Sequence, residues 1–236
     1  HIQKVDRAAP VAILGSTPEF RDLLFECGFR EIYLLERNAA FSAAMTGLRV
    51  YRNKEQVIEG DWLTILPAHK RRFSIILSDL TSGNVPYEDR GRFYALISDA
   101  LVRGGVFCDK VLTHPIPHLS LSELIVKYSN LPLNLLYLNN FSCEVLFCSE
   151  LLDIKQQVDS SLFYSTLEER AKPDRVRVFA EGAKKITPPG CTWWYGRGWE
   201  ELKKDYCPQL TLLESAEDEQ TSPYFGRLKF YGFTKG

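Results

Sequence analysis

Five short groups of residues carry side chains able to do chemistry, and each follows a run of apolar residues: Gly15-Ser16-Thr17-Pro18, Glu36-Arg37, Asp61-Trp62, Asp79 and Asp109-Lys110. Gly15 lets the backbone turn sharply and approach a ligand with no side chain in the way. Glu36 lies 21 residues further on, the distance at which an acid reaches both ribose hydroxyls of an adenosine moiety as a paired acceptor. Asp61 is placed to accept from the adenine amine, with Trp62 flanking the ring. Taken together these residues describe an adenosine pocket. Each also has a structural reading: Gly15 as a turn glycine, Glu36 as an acid favoured by a helix dipole, and Asp61 as a turn cap.

The elements that must position these groups are legible in the alternation of short apolar runs with amphipathic stretches between residues 11 and about 113, the pattern of βαβ units and a parallel sheet. VAILG (11–15) is a buried strand. In the next stretch Ser16 or Thr17 caps a helix, Pro18 takes its first position, and Phe20, Leu23, Leu24 and Cys27 share a face until Gly28 closes it. EIYLLERN (31–38) is a second strand ending on Glu36, AAFSAAMTGL its helix, and a third strand lies within LRVYR or QVIEGDW. FSIILSD (73–79) is a fourth strand, 87–105 a helix stopped by Gly104-Gly105, and GGVFCDKVL a fifth strand. Residues 115–185 break the rhythm and read as a mostly helical insert, with apolar helical stretches near 119–129, 132–152 and 160–171. The sheet then resumes with a helix at GWEELKKDYC and strands at 210–215 and 227–235 that pair antiparallel across a charged loop. The expected fold class is therefore α/β, a Rossmann-like, mostly parallel seven-stranded sheet with an antiparallel C-terminal strand. Residues 1–114 and 186–236 form its body, and 115–185 a helical insert or lid within the same domain.

In an open parallel sheet the ligand crevice lies beyond the carboxyl ends of the strands at the switch point beside the first strand. What the first turn lacks narrows the cofactor. A dinucleotide pyrophosphate wants G-x-G-x-x-G, whereas this turn reads G-S-T-P-E-F with Thr17 and Phe20 at the later glycine positions, and no GKS/T phosphate loop is present. S-adenosylmethionine brings no phosphate and carries a positive sulfonium, which suits acids and a single glycine. The series VAILGSTPEFR, YLLERN, EGDW, FSIILSD and LVRGGVF is similar to the ordered motifs of class I S-adenosylmethionine-dependent methyltransferases, and its first turn resembles a subgroup with a Gly-x-Thr-Pro-Glu turn. The resemblance covers residues 11 to about 113, and the final paired strands resemble the reversed hairpin that closes that family's sheet. It implies S-adenosylmethionine as cofactor, held by Gly15, Ser16, Thr17 and Glu36 with Arg37, Asp61, Trp62 and Asp79. It also places Asp79 near the transferred methyl.

Asp79 and His114 are the candidate catalytic residues, His114 and the nearby His118 having the side chain suited to a general base near neutral pH. Asp79 equally caps the turn at 82–84 and either histidine is equally a loop residue. Of Asp109 and Lys110, strand alternation lets only one face the crevice; an Asp–Lys pair resembles the arrangement by which some ribose 2'-O-methyltransferases activate a hydroxyl. Trp193, Trp194, Tyr195 and Trp199 line a substrate lid or form the core of the final helix and sheet. No D/N-P-P-Y/F motif follows the fourth strand, which argues against methylation of adenine amines. A Tyr-x-x-x-Lys dehydrogenase motif occurs only at Tyr231–Lys235, inside a strand pattern.

The bulk properties frame the remaining choices. A net charge of -1 over 236 residues gives no global basic field for a phosphate backbone, so a small-molecule acceptor is favoured over nucleic acid. The six scattered cysteines fit reduced thiols rather than a metal site. No apolar run is long enough to span a bilayer and the start has no hydrophobic signal core; the expectation is a cytoplasmic protein, no membrane partner, and an upstream segment possible before His1. The competing functions are methyl transfer to a small molecule, ribose methylation of RNA, and non-catalytic cofactor binding or scaffolding.

Overall fold

The computed structural model describes residues 5–52, 54–113, 120–145, 148, 157–170, 174–186, 188–194, 198–206, 209–218, 226 and 228–236. Its first half runs β1 (Val11–Leu14), α1 (Pro18–Glu26), β2 (Ile32–Glu36), α2 (Ala39–Thr46), β3 (Gln56–Glu59), α3 (Trp62–Ile65), β4 (Phe73–Asp79), α4 (Tyr87–Ala100) and β5 (Leu101–Leu112). There follow α5 (Leu121–Ser129), α6 (Leu135–Glu144), β6 (Gln157–Asp159), α7 (Ser160–Arg170), α8 (Asp174–Ile186) and β7 (Thr192–Trp194), then α9 (Trp199–Tyr206), β8 (Thr211–Glu217) and β9 (Leu228–Thr234). The chain divides into two compact units, one of residues 1–111, 199–216 and 229–236, the other of 112–198 and 217–228.

The first unit is built on a seven-stranded sheet of order β3-β2-β1-β4-β5-β9-β8, parallel from β3 to β5 and antiparallel at its C-terminal strands. β1 is its axis. Val11 pairs with both Ile32 of β2 and Ile75 of β4, and all four β1 residues are buried, as a parallel strand covered on both faces must be. Side chains alternate between the faces: Val11 and Ile13 join Ile32, Leu34 and Ile75 in a cluster with Leu24 and Phe29. Ala12 and Leu14 join Tyr33, Leu35 and Ile76 in a larger cluster under Phe93, Tyr94 and Ile97 of α4 and Leu202 and Tyr206 of α9.

One boundary and one helix face differ from the sequence expectation. α4 ends at Ala100 rather than at the glycine pair, because Leu101 is already a strand residue, fully buried and paired with Phe73. Gly104, at φ +71°, instead makes an irregularity within β5, where its N–H donates to the Lys235 carbonyl and the Lys235 N–H donates to the Gly105 carbonyl. In α1, Leu23 is 39% exposed while Arg21 is buried.

That buried arginine organises the segment after α2. Its guanidinium pairs with Glu55 at 2.6 Å, Glu55 also receives Arg49 at 3.0 Å, and Arg49 reaches Asp22 at 3.3 Å. Asp22 further accepts from the backbone N–H groups of Val50 (2.8 Å) and Tyr51 (3.2 Å), so an irregular stretch is pinned to α1 by charge and backbone together. On the other face Asp109 is buried against α4 and α9, accepting from Tyr94 (3.1 Å) and Tyr206 (2.7 Å) hydroxyls. Burial pushes its carboxyl up to about 6 despite these donors.

The second unit packs α5, α6, α7 and α8 around Leu124, Tyr128, Phe141, Phe163 and Phe179, with β6 and β7 as a two-stranded antiparallel ribbon. α5 starts on a capping box between Ser120 and Glu123. The sequence reading lacked α8 and the ribbon as elements. Trp193 and Trp194 lie in that ribbon, whereas Trp199 stacks on Tyr231 (4.6 Å) in the core of the first unit; Tyr195 lies outside the described residues. Among the described residues, no helix is long and apolar enough to cross a membrane.

Glu55→Ala leaves Arg21 and Arg49 buried without their shared counter-charge and should destabilise the protein by about 3–5 kcal/mol, read from urea midpoints; a loss below 1 kcal/mol would contradict the buried network. Asp109 holds its proton in the folded chain up to about pH 6 but releases it near pH 4 when unfolded. Native protein then binds more protons between these values, so this carboxyl's contribution to stability falls as pH rises from about 4 to about 6, by about 3 kcal/mol. Thermal melts of Asp109→Asn should gain on the parent by that amount between pH 4 and 7, and a constant difference would contradict the shift.

Candidate functional site

The carboxyl ends of β1, β2 and β4 bring three turns together. At the first, Gly15 takes φ +102°, a conformation open to glycine, and its N–H donates to the Leu35 carbonyl at 2.9 Å, tying the turn to β2. The Glu36 carboxylate lies directly beneath it: a Cβ added at Gly15 would sit 3.9 Å from Glu36 Oε2. Glu36 is 8% exposed. Its Oε2 accepts from Ser16 Oγ (3.1 Å) and its Oε1 from the Asn38 N–H (3.0 Å). Asn38 in turn caps α2 by accepting from the Phe41 N–H, so this acid is fixed by both flanking turns. Since a carboxylate offers about four lone-pair sites and these bonds use two, each oxygen keeps a site for a further donor. Two neighbouring hydroxyls are the donor geometry that such an acid would take.

Beside Glu36, Thr17 heads α1 but gives it no side-chain cap. Its hydroxyl donates instead to Asp79 Oδ2 at 3.0 Å, across the gap between β1 and β4. Asp79 Oδ1 faces Lys110 Nζ at 3.0 Å, the two residues being paired in register on β4 and β5. This settles the alternation at the end of β5: Lys110 turns to the same side as Asp79, and Asp109 turns into the core. Lys110 also lies 5.9 Å from the Phe230 ring of β9. Leu80 then adopts a left-handed φ of 57°, which costs a non-glycine residue about 1–2 kcal/mol. The conformation is enforced by its N–H donating to the Lys110 carbonyl (2.8 Å) and by the next residue, Thr81, whose hydroxyl donates to the Leu14 carbonyl (3.1 Å). The end of β4 is thus tethered to both neighbouring strands, and the direction of Asp79 with it.

Gly15, Ser16, Thr17, Glu36 and Asp79 therefore meet through side-chain or near-contact distances. Asp61 and Trp62 follow Gly60, whose N–H donates to the Glu36 carbonyl at 3.1 Å. Asp61 is exposed and caps α3 by accepting from the Leu63 N–H (2.9 Å). The Trp62 indole N–H donates to the Leu35 carbonyl (2.7 Å) and its ring lies 6.3 Å from Phe93, half-buried against the main core. Arg37 is exposed at the start of the turn into α2. His114 and His118 lie outside the described residues. Among the described residues no group of His, Cys, Asp and Glu could hold a metal ion. The pairings of Asp79 with Lys110 and with Thr17 carry no sequence signal beyond strand register.

A cleft of about 530 Å³ opens beside this edge, lined by Thr17, Pro18, Glu19 and Asp22 of the α1 end, Phe41 and Met45 of α2, Leu48 and Val50, and Asp79.

No family model matches the chain, and no curated protein matches its sequence significantly. Solved structures do match its fold. A protein from Rhodobacter sphaeroides provisionally named a zinc-dependent alcohol dehydrogenase aligns at TM-score 0.63 with 12% identity, over 100% of this chain and 87% of its own. A SAM-dependent methyltransferase from Methanosarcina mazei aligns at 0.57 with 12% identity, over 98% and 94%. The 1,6-didemethyltoxoflavin-N1-methyltransferase of Burkholderia thailandensis, solved with 1,6-didemethyltoxoflavin and S-adenosylhomocysteine, aligns at 0.52 with 10% identity, over 97% and 72%. With its 3-2-1-4-5 parallel strands followed by the reversed pair, this chain has the class I S-adenosylmethionine-dependent methyltransferase fold.

Proposed function

We propose that the protein binds S-adenosylmethionine at the carboxyl edge of its sheet and transfers the methyl group to a small molecule. The observation that carries this reading is the Glu36 carboxylate, buried under Gly15 and fixed by Ser16 and Asn38 with one acceptor site left on each oxygen. Gly15 would let the backbone close on the nucleoside, Glu36 would hold its ribose, and Asp61, Trp62 and Arg37 border the adenine side. Ser16 keeps Glu36 in place. Thr17 and Asp79, joined to each other, border the end where the amino-acid part of the cofactor would lie.

When bound, the cofactor supplies an electrophilic methyl group on sulfur. What the chain contributes is orientation and exclusion of water, because a direct displacement needs nucleophile, carbon and leaving group in line. Asp79 is the proposed residue nearest the reacting end, set by the tethers on Leu80 and Thr81 and charge-matched by Lys110. His114 is the proposed base where the acceptor is a hydroxyl. The small-molecule reading is supported by the net charge of -1 and by the 1,6-didemethyltoxoflavin acceptor of the Burkholderia enzyme. Ribose methylation of RNA is a second reading, favoured by the Asp79–Lys110 pair.

Calorimetric titration with S-adenosylmethionine, S-adenosylhomocysteine and NAD tests the proposal. The first two should bind, and Glu36→Ala should weaken them about 10- to 100-fold, the value of a charge-assisted hydrogen bond. Preference for NAD, or unaltered affinity in Glu36→Ala, would contradict it.

A further inference from the structure

The segment after α2 presents an unusual surface. Leu48 is 68% exposed and Val50 79%, with Phe41 of α2 49% exposed beside them. Between the first two, Arg49 points inward with its side chain 1% exposed. The segment is irregular, with Leu48 in a turn and Val50 at a bend, and it is not free to reverse. Turning Leu48 and Val50 inward would pull Arg49 from Asp22 and Glu55 and the Val50 and Tyr51 N–H groups from Asp22. Tyr51 adds a hydroxyl bond to Glu26 (2.9 Å) and a ring contact with Phe25 (5.1 Å). A buried charge network is a poor route to stability by itself; here its consequence is that two aliphatic side chains are held outward in fixed positions.

Those side chains form one wall of the 530 Å³ cleft, with Phe41, Met45 and Pro18. The charged residues that line it are Glu19, Asp22 and Asp79, and no basic side chain is among its lining. The volume is that of a site for an organic molecule of ordinary ligand size, and a mostly apolar lining with a few polar groups is what such sites have. Clustered exposed apolar side chains on a rigid support mark a binding surface. The cleft also reaches Thr17 and Asp79, the hydrogen-bonded pair at the β1–β4 gap.

We infer that this cleft is the acceptor subsite, and that the acceptor is a neutral or cationic molecule with an aliphatic or aromatic body, its body against Phe41, Met45, Leu48 and Val50 and its polar end toward Thr17 and Asp79. Anionic molecules are disfavoured because the walls carry no basic side chain, and of their three carboxylates Asp22 and Asp79 are already ion-paired behind the lining while Glu19 adds an exposed negative charge. The inference rests on the methyl-transfer reading above, since it assigns the cleft to the partner of the cofactor.

The test uses n-octylamine, n-octanol and octanoate as probes, titrated into protein loaded with S-adenosylhomocysteine, with binding followed by calorimetry and by the methyl signals of Met45, Leu48 and Val50 in NMR. The amine and the alcohol should bind at least about tenfold more tightly than octanoate, move those methyl signals, and bind without displacing S-adenosylhomocysteine. In L48S/V50S, amine affinity should fall by about tenfold or more while S-adenosylhomocysteine affinity, which also reports correct folding, is unchanged. Equal binding of octanoate, displacement of S-adenosylhomocysteine by the amine, or no shift of the methyl signals of these three residues overturns the subsite with the cofactor reading intact. Failure of S-adenosylhomocysteine to bind at all overturns the acceptor role together with that reading.

Discussion

A carboxylate at the end of a buried strand has to be satisfied, and the way Glu36 is satisfied shapes everything around it. β2 is buried along its whole length, so the acid arrives at the sheet edge from an apolar interior with little water to solvate it. Ser16 Oγ and the Asn38 N–H supply one donor to each oxygen. Those donors come from the turns after β1 and β2, which fixes the turns relative to each other. Gly15 is then the residue that keeps the space above the carboxylate open, and Asn38 is held where it caps α2. One acid therefore sets two turns, one helix start and one open acceptor face.

The same logic recurs on both faces of the sheet. On the α1 face, Arg21, Glu55, Arg49 and Asp22 form a charge network that orders an otherwise irregular segment. On the α4 and α9 face, Asp109 joins the two helices to β5 through tyrosine hydroxyls. Neither network is the cheapest way to fill a core, since desolvated charges return little net stability. Both fix position. The first presents Leu48 and Val50 outward, and the second locks β5 so that Lys110 meets Asp79. The strained Leu80 belongs with them, because its backbone is set by a bond to Lys110 and by the turn that Thr81 anchors to β1.

The sheet was legible in the sequence because parallel strands buried on both faces write themselves as unbroken apolar runs: VAIL, IYLLE and FSIILSD coincide with β1, β2 and β4. The residues just past those runs include the ones that meet. Side-chain partners were less legible. Arg21 and Asp22 look like solvated helix charges, and only the fold reveals that Arg49 and Glu55 come back to them. Leu101 reads as the last turn of an amphipathic helix until its pairing with Phe73 claims it for a strand. α8 hides in RVRVFAEGAKK, where Arg175, Arg177, Lys184 and Lys185 mask the buried face of Val176, Phe179, Ala180 and Ala183. Asp61 was also readable as a turn cap, and its bond to the Leu63 N–H caps the start of α3.

A crystal structure of the protein with S-adenosylhomocysteine probes the Glu36 edge directly. The ribose hydroxyls should donate to the two Glu36 oxygens, with the Ser16 and Asn38 donors retained and the amino-acid end beside Thr17 and Asp79. A nucleoside seated away from Glu36, or a Glu36 carboxylate that has turned from the edge to make room for one, would contradict that placement.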